Sequence, residues 1–328
     1  VERQHADRWI LSGAALCVAL AVTLGVIGDR ADDGGGTVPD PAPWAGQQSS
    51  HESVDRVLAA LGADRVYAMV GEDVMRADLG VVADGRVAPP ELRGRGLRLL
   101  SNLSGNGKDV VLAGAATSSD DAGFATDSSY RLVDGKSLVP LPVAPRRLFA
   151  PTVAADGAIF AIAAERGFWR LPPRAERWQR DPRLLREDIG PVAAAPSGQL
   201  FTVTRPASRA ARLVRLSGSR GIRRLGPIHC SYGVVPAPSG ELLLTQSSSL
   251  ERVRRNPGCD WSYVVDLRGR DRVTVPAGWD ALAWSADSSA LLVTREREIA
   301  VWTLEGEFLA SADADTRLFA ATPVYADR

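Results

Sequence analysis

Lysine is almost missing from this chain: of its 39 basic residues only Lys108 and Lys136 are not arginine. Histidine occurs three times, at 5, 51 and 229, and cysteine three times, at 17, 230 and 259. His5 lies in an amino-terminal tail and His51 beside a short helix-like segment, so a Ser-His-Asp or Cys-His arrangement would have to use His229. No nucleophile-elbow sequence accompanies it. Net charge is missing as well. The 39 basic residues are balanced by 39 acidic ones, which leaves no global field to draw in nucleic acid. The stretch Gly105-Asn106-Gly107-Lys108 has the look of a phosphate loop but lacks the leading Gly and the Ser/Thr after Lys, so it reads as a hairpin turn.

What the chain does have is a repeated strand-turn-strand unit. It appears at 148–163 (LFAPTVAADGAIFAIA), 191–204 (PVAAAPSGQLFTVT), 233–245 (GVVPAPSGELLLT) and 281–294 (ALAWSADSSALLVT). The turn pairs Asp156-Gly157, Ser197-Gly198, Ser239-Gly240 and Asp287-Ser288 are spaced by 41, 42 and 48 residues. A period of about 40 to 50 residues with about four short strands in each is the signature of β-propeller blades.

Ahead of the repeats, residues 9–28 (WILSGAALCVALAVTLGVIG) carry no charge and are long enough to cross a hydrocarbon core of about 30 Å as a helix. Arg3, His5 and Arg8 precede this run. Asp29, Asp32 and Asp33 follow it, so the positive-inside rule puts a tail at 1–8 in the cytoplasm and the rest outside. A cleavable signal peptide is the rival reading, with Val26 and Gly28 small enough to precede a cut. Cys17 falls inside the run as one more apolar residue. Residues 29–50, rich in Gly, Pro and Asp, describe a flexible linker. In 51–62, Val54, Val57, Leu58 and Leu61 fall at i, i+3, i+4 and i+7, with Ser50 or Ser53 as a cap and Gly62 as a stop, which predicts a short amphipathic helix. The arginine excess, the Ala/Gly/Val richness and the initial Val suggest a high-GC bacterial gene with a GTG start.

The remainder, 65–328, divides into units. Strands are predicted at 65–70 and 74–79, followed by 81–89 around Asp84-Gly85. Further units span 97–143, with turns at Asn106-Gly107 and Asp134-Gly135, then 148–187, 190–229, 231–277 and 280–314. The first unit is one strand short. The missing strand is supplied at the far end, where 317–327 (RLFAATPVYAD) resembles 147–156 (RLFAPTVAAD), which opens the third unit. Pairing this strand with 65–70 closes a six-bladed ring and removes an open edge. Seven blades is the alternative, if 97–148 holds extra strands.

The sixth unit, 281–307, resembles a WD-type repeat: an apolar strand runs into Trp284-Ser285-x-Asp287, and a second apolar stretch ends at Trp302. Thr303 stands where that family has Asp, and no Gly-His pair precedes the blade. The looser blades resemble the TolB-like and WD-like propellers of bacterial envelope proteins across 65–328. The resemblance implies an all-β propeller in which Ser285 and Asp287 bond backbone N–H groups and the tryptophans pack between blades.

Cys230 and Cys259 lie outside the membrane segment and are disulfide candidates in an oxidising compartment. Two separate thiols, or a metal site with His229, are the alternatives. Asp120, Asp121 and Asp127 in an acidic loop could hold calcium but lack EF-hand spacing, and an ordinary solvated loop accounts for them. Arginines crowd 205–224 and recur at 252, 254 and 255, either as solvent-facing residues that keep sheet edges soluble or as contacts for an anionic partner. The expectation is a single-pass bacterial membrane protein and a monomer, with no cofactor and no nucleic-acid partner. Its extracytoplasmic propeller would bind a protein or glycan of the envelope. The alternative is a hydrolase- or lactonase-like propeller enzyme with a carboxylate or calcium site in the central channel.

Overall fold

The computed structural model describes residues 53–72, 77–90, 97–116, 128–145, 148–163, 167–182, 189–204, 211–217, 221–228, 231–247, 263–275 and 278–326. Among the described residues twenty-four strands form six four-stranded antiparallel sheets, the blades of a six-bladed β-propeller. Blade 1 owns β1 (Ala63–Gly71), β2 (Asp78–Ala83) and β3 (Arg86–Ala88). Blade 2 holds β4 (Leu97–Gly105), β5 (Val110–Ala116), β6 (Ser128–Val133) and β7 (Ser137–Pro140). Blade 3 holds β8 (Leu148–Val153), β9 (Ile159–Ala163), β10 (Phe168–Leu171) and β11 (Gln179–Asp181). Blade 4 holds β12 (Ala193–Ala194), β13 (Leu200–Thr204), β14 (Arg212–Ser217) and β15 (Gly221–Pro227). Blade 5 holds β16 (Ser231–Pro236), β17 (Leu242–Ser247), β18 (Tyr263–Asp266) and β19 (Asp271–Thr274). Blade 6 holds β20 (Asp280–Trp284), β21 (Ala290–Arg295), β22 (Glu298–Thr303) and β23 (Phe308–Asp313).

The fourth strand of blade 1 is β24 (Arg317–Tyr325), from the far end of the chain. It pairs antiparallel with β1, from Ala63 opposite Tyr325 to Gly71 opposite Arg317. In the sheet order it takes the place that β8 takes in blade 3, the innermost, which is what the likeness of 317–327 to 147–156 implies. Around the axis β20 touches β24, β24 touches β4, β4 touches β8, β8 touches β12 and β12 touches β16, so β24 lies between β20 and β4.

Both faces of each blade are buried, so the second strands read as unbroken apolar runs rather than alternating ones. Successive side chains serve opposite neighbours. Leu291 and Val293 pack toward blade 5, while Ala290 and Leu292 pack toward blade 1. In β13, Leu200 faces blade 3, and Phe201 and Val203 face blade 5. Blades 1 and 2 meet through Tyr67, Met69, Leu100 and Leu112, blades 2 and 3 through Val111, Ile159 and Ala161. The core is therefore a sequence of six seams.

The seam between blades 6 and 1 carries an extra layer, the helix α1 (Val54–Leu61). Ser53 precedes it with extended backbone, and Gly62 ends it in the left-handed region at φ 64°. Val54, Val57, Leu58 and Leu61 are all buried against Val66, Leu292, Val301 and Leu318. Covering four aliphatic side chains contributes about 1.5 to 3 kcal/mol each as an upper estimate. Asp55 Oδ1 accepts the Gly85 N–H at 2.9 Å, so the same helix also pins the β2–β3 hairpin.

One strand boundary departs from the sequence pattern. Leu79 and Val81 belong to the single strand β2, where the pattern divides them at Gly80. Gly80 is there for packing: a Cβ at this position would come within 2.7 Å of a Val70 methyl group on the paired strand. The apolar stretch 9–28 and the linker 29–50 lie outside the described residues. Among the described residues no helix is long and apolar enough to cross a membrane.

Candidate functional site: the channel mouth at blades 6 and 1

The two ends of the ring differ in chemistry. At one end lie the hairpins joining first to second strands, and these hold the turn residues that mark the repeat. Gly157, Gly198 and Gly240 take φ values of 79°, 86° and 73°, and Ser288 takes 67° at the matching position of blade 6. Each closes the same turn: Gly157 N–H donates to Ala154 O, Gly198 to Ala195 O, Gly240 to Ala237 O, and Ser288 to Ser285 O. Side-chain oxygens complete these turns. Asp156 Oδ1 accepts the Ala158 N–H at 2.9 Å, and Ser239 Oγ accepts the Glu241 N–H at 3.3 Å. Asp287 Oδ1 accepts from Ser285 Oγ at 2.6 Å and from the Ser289 N–H at 3.1 Å. The Ser285 hydroxyl is the main reason the Asp287 carboxyl sits below its ordinary pKa.

Neighbouring corners are also tied together. Asn106 Nδ2 donates to Ala154 O at 2.8 Å, the Ser239 N–H donates to Ser288 Oγ at 3.0 Å, and Trp284 Nε1 donates to Val235 O at 2.9 Å. Asn106 Oδ1 also accepts the N–H groups of Lys108 and Asp109, so Gly105–Lys108 is a hairpin corner. Trp302 is buried in an aromatic group with Trp279 and Phe308, with ring centroids 5.1 and 4.5 Å from its own. The side chains of Asp156, Ser239, Ser285 and Asp287 are thus spent on the turns themselves.

The opposite end, where the first strands begin, presents charge. Asp280 opens β20 and Arg317 opens β24, so the two residues stand at the same end of adjacent innermost strands. Asp280 is reached by solvent, yet the surrounding protein raises its carboxyl pKa by desolvation, and the nearby Arg317 guanidinium offsets part of that rise. Both facts hold for a carboxyl that solvent reaches on one side while protein surrounds it on the others. Arg297 Nη2 reaches across the seam to Glu72 Oε1 at 2.6 Å. Arg295 Nη2 bonds Glu298 Oε2 at 2.8 Å, and its guanidinium lies 4.6 Å from the centre of the Trp279 ring. Arg295, Glu296, Arg297, Glu298 and Asp313 line a shallow concavity of about 500 Å³ beside the mouth. Forked donors, carboxylate acceptors and an aromatic edge thus share one face, a set that recognises polar groups in fixed directions. Among the described residues no three His, Cys, Asp or Glu side chains converge in a way that would hold a metal ion.

Cys230, Cys259 and His229 lie outside the described residues, as do Asp120, Asp121, Asp127 and the arginines at 205, 209, 220, 252, 254 and 255. Sequence reading missed Asp280 and Arg317. Their one signal is position: each begins the strand that opens its repeat.

No known protein family and no curated protein matches the chain. Among solved structures it is similar to a protein of Bacteroides uniformis assigned provisionally as a 6-phosphogluconolactonase, at 15% identity over 79% of this chain and 84% of that one, with a TM-score of 0.46. It is similar to TolB from Acinetobacter baumannii at 10% identity over 77% of this chain, with a TM-score of 0.45. It spans 64% of TolB, less than two thirds. A gluconolactonase from Xanthomonas campestris gives 17% identity, 69% and 78% coverage and a TM-score of 0.45. The blade count rests on the strand order of the chain itself.

Proposed function

We propose that this chain is a membrane-anchored, extracytoplasmic binding module, held by residues 9–28, whose propeller docks a protein or glycan of the cell envelope at the channel mouth of blades 6 and 1. The observation that carries the reading is the gathering of guanidinium and carboxylate groups at one place on the ring, where Arg295, Arg297 and Arg317 stand among Glu72, Asp280, Glu296 and Glu298 beside a shallow concavity. The uncharged run of twenty residues, followed by a Gly/Pro/Asp-rich linker, supports an anchor that leaves the propeller clear of the bilayer.

The test is site-specific photo-crosslinking of the full chain in its native membrane. With the photoreactive amino acid at position 297, an adduct of discrete mass is expected. At position 156, on the corner end, none is. Identical patterns from the two positions would overturn the reading.

A second reading has one observation in its favour. Asp280 is a carboxyl with a raised pKa at the mouth of the channel, which is the environment a general acid or base requires. Turnover of a lactone or glycan that disappears in Asp280→Asn would establish it.

A further inference from the structure

The chain has no net charge, but the charges are not spread evenly around the ring. On blade 3, Arg174 and Arg177 lie in the hairpin before β11 and Arg180 lies on β11 itself, all exposed. On blade 4 the exposed set is Arg212, which opens β14, with Arg223 and Arg224 on the outermost strand β15. Blade 5 adds exposed Arg268 and Arg270 in the β18–β19 hairpin and Arg272 on the outermost strand β19. Three consecutive blades therefore each carry three exposed arginines on their two outer strands and the hairpins between those strands. The exposed carboxylates on those same elements are Glu176 and Asp271, and the buried Asp266 accepts from Arg270 and Arg272 at 2.9 and 3.0 Å, one carboxylate shared between two guanidinium groups that both stay solvent-exposed. Blade 6 is the reverse, with exposed Glu305, Glu307 and Asp313 on and around β23.

Register makes the arginine rim continuous. Arg224 pairs with Val214, which packs toward blade 3, and Arg223 pairs with Arg215, on the face whose Leu213 packs toward blade 5. Adjacent strand residues point to opposite faces, so β15 sends one arginine toward each neighbour. At the next seam, Gly226 of β15 runs directly against the Arg268-Gly269 turn: a Cβ on Gly226 would collide with Arg268 O. The outer strand of blade 4 is thus joined to the basic hairpin of blade 5.

We infer that the outer rim of blades 3 to 5 is a track for a linear polyanion, a polymer whose phosphate or carboxylate groups repeat along a chain. A folded acidic protein fits less well. A protein interface is built around a buried apolar core, and the large hydrophobics exposed among the described residues, Val139, Val143 and Leu309, all belong to blades 2 and 6 or the segment after blade 2. A bilayer fits less well too. The rim bends around half the ring, and the seam between blades 4 and 5 is a third of a turn from the seam where the chain enters through α1. A flexible chain can follow such a curve, releasing counterions as each guanidinium meets an anionic group.

The test measures binding of the full chain to fluorescent inorganic polyphosphate, long enough to span three blades or only one. Poly-glutamate serves as the carboxylate arm and phosphatidylglycerol vesicles as the membrane arm. The expected result is tighter binding of the long polymer. If about four charges are neutralised, it should weaken roughly 50-fold between 50 and 200 mM salt. The combined variant Arg177→Gln, Arg223→Gln and Arg268→Gln, one exposed arginine from each blade, should lose at least about tenfold in affinity and most of the salt slope while keeping its melting temperature. Stronger binding of polyphosphate than of poly-glutamate would identify phosphate as the preferred group, and the reverse would identify carboxylate. Equal binding of short and long polymer, an unchanged affinity in the variant, or preference for the vesicles would overturn the inference. Because the rim and the channel mouth are separate surfaces, the photo-crosslink at position 297 is unaffected by this variant, and either result stands without the other.

Discussion

Tyr325 donates its phenolic O–H to the carbonyl oxygen of Trp284 at 3.0 Å, so the last residue of β24 is bonded to the last residue of β20. Its backbone N–H donates to Gly107 O at 2.9 Å, which reaches the next blade as well. Burial pushes the phenol's pKa up, as expected for a hydroxyl held as a neutral donor. Tyr325→Phe leaves the Trp284 carbonyl without this donor and should cost about 1 kcal/mol in urea unfolding. Deleting 316–328 removes β24 altogether, exposing β1 and the first strands beside it. Aggregation or loss of a single cooperative transition is expected, and an unchanged melt would mean that β24 does not close the ring.

The corner glycines should separate backbone strain from packing. Gly157 has φ of 79°, and a Cβ there would meet no atom within 4 Å, so Gly157→Ala isolates the cost of the left-handed conformation, about 1 to 2 kcal/mol. Ser288 occupies the same conformation without being glycine, but its Oγ accepts the Ser239 N–H. Ser288→Gly relieves the strain and deletes the acceptor, so its melting temperature should change much less than that of Gly157→Ala.

Asp266 gives the stability curve a dependence at acid pH. Desolvation pushes its carboxyl up, but the N–H groups of Arg270 and Arg268 and the Arg270 guanidinium outweigh that and bring its pKa to about 2. The unfolded value is about 3.9, so the folded state holds the proton less tightly. The stabilisation is complete above about pH 4 and is lost as pH falls toward 2. Chemical denaturation of Asp266→Asn should show lower stability than the native chain at pH 6, with the difference closing across that window.

Asp280 should behave in the opposite sense. Its raised pKa means that the charged form is disfavoured in the folded state, a cost that appears as pH rises through the ordinary carboxylate range and persists above it. Asp280→Asn is expected to melt higher than the native chain at pH 7 and the same at pH 3. A residue that is more stable replaced than kept is the pattern of a functional carboxylate.

The architecture was legible because each hairpin corner repeats a local requirement: a left-handed residue preceded by Asp or Ser. Asp156-Gly157, Ser197-Gly198, Ser239-Gly240 and Asp287-Ser288 carry that requirement in their own residues. β24 was legible for a related reason, since it resembles β8 and both serve as innermost strands. The boundary of β2 was not, because Gly80 looks like a break when it is a fit to Val70. Asp280 and Arg317 belong to different repeats, and their meeting depends on closure, which no local pattern encodes. The arginine rim was half visible. The crowding at 212–224 stands out along the chain, but its continuation into Arg174–Arg180 and Arg268–Arg272 exists only once three blades stand side by side.

The pairing of β1 with β24 joins segments about 250 residues apart, and β24 emerges during synthesis after every other strand of the ring. Loop-closure entropy opposes so distant a contact until the intervening blades have compacted the chain. The five blades between can pair locally as they appear, while blade 1 waits with three strands and an unfilled inner place. Ring closure therefore comes last in the folding of the propeller. A chain crossing a membrane while still being made would complete its fold only on the far side, after its carboxyl-terminal strand has been delivered there.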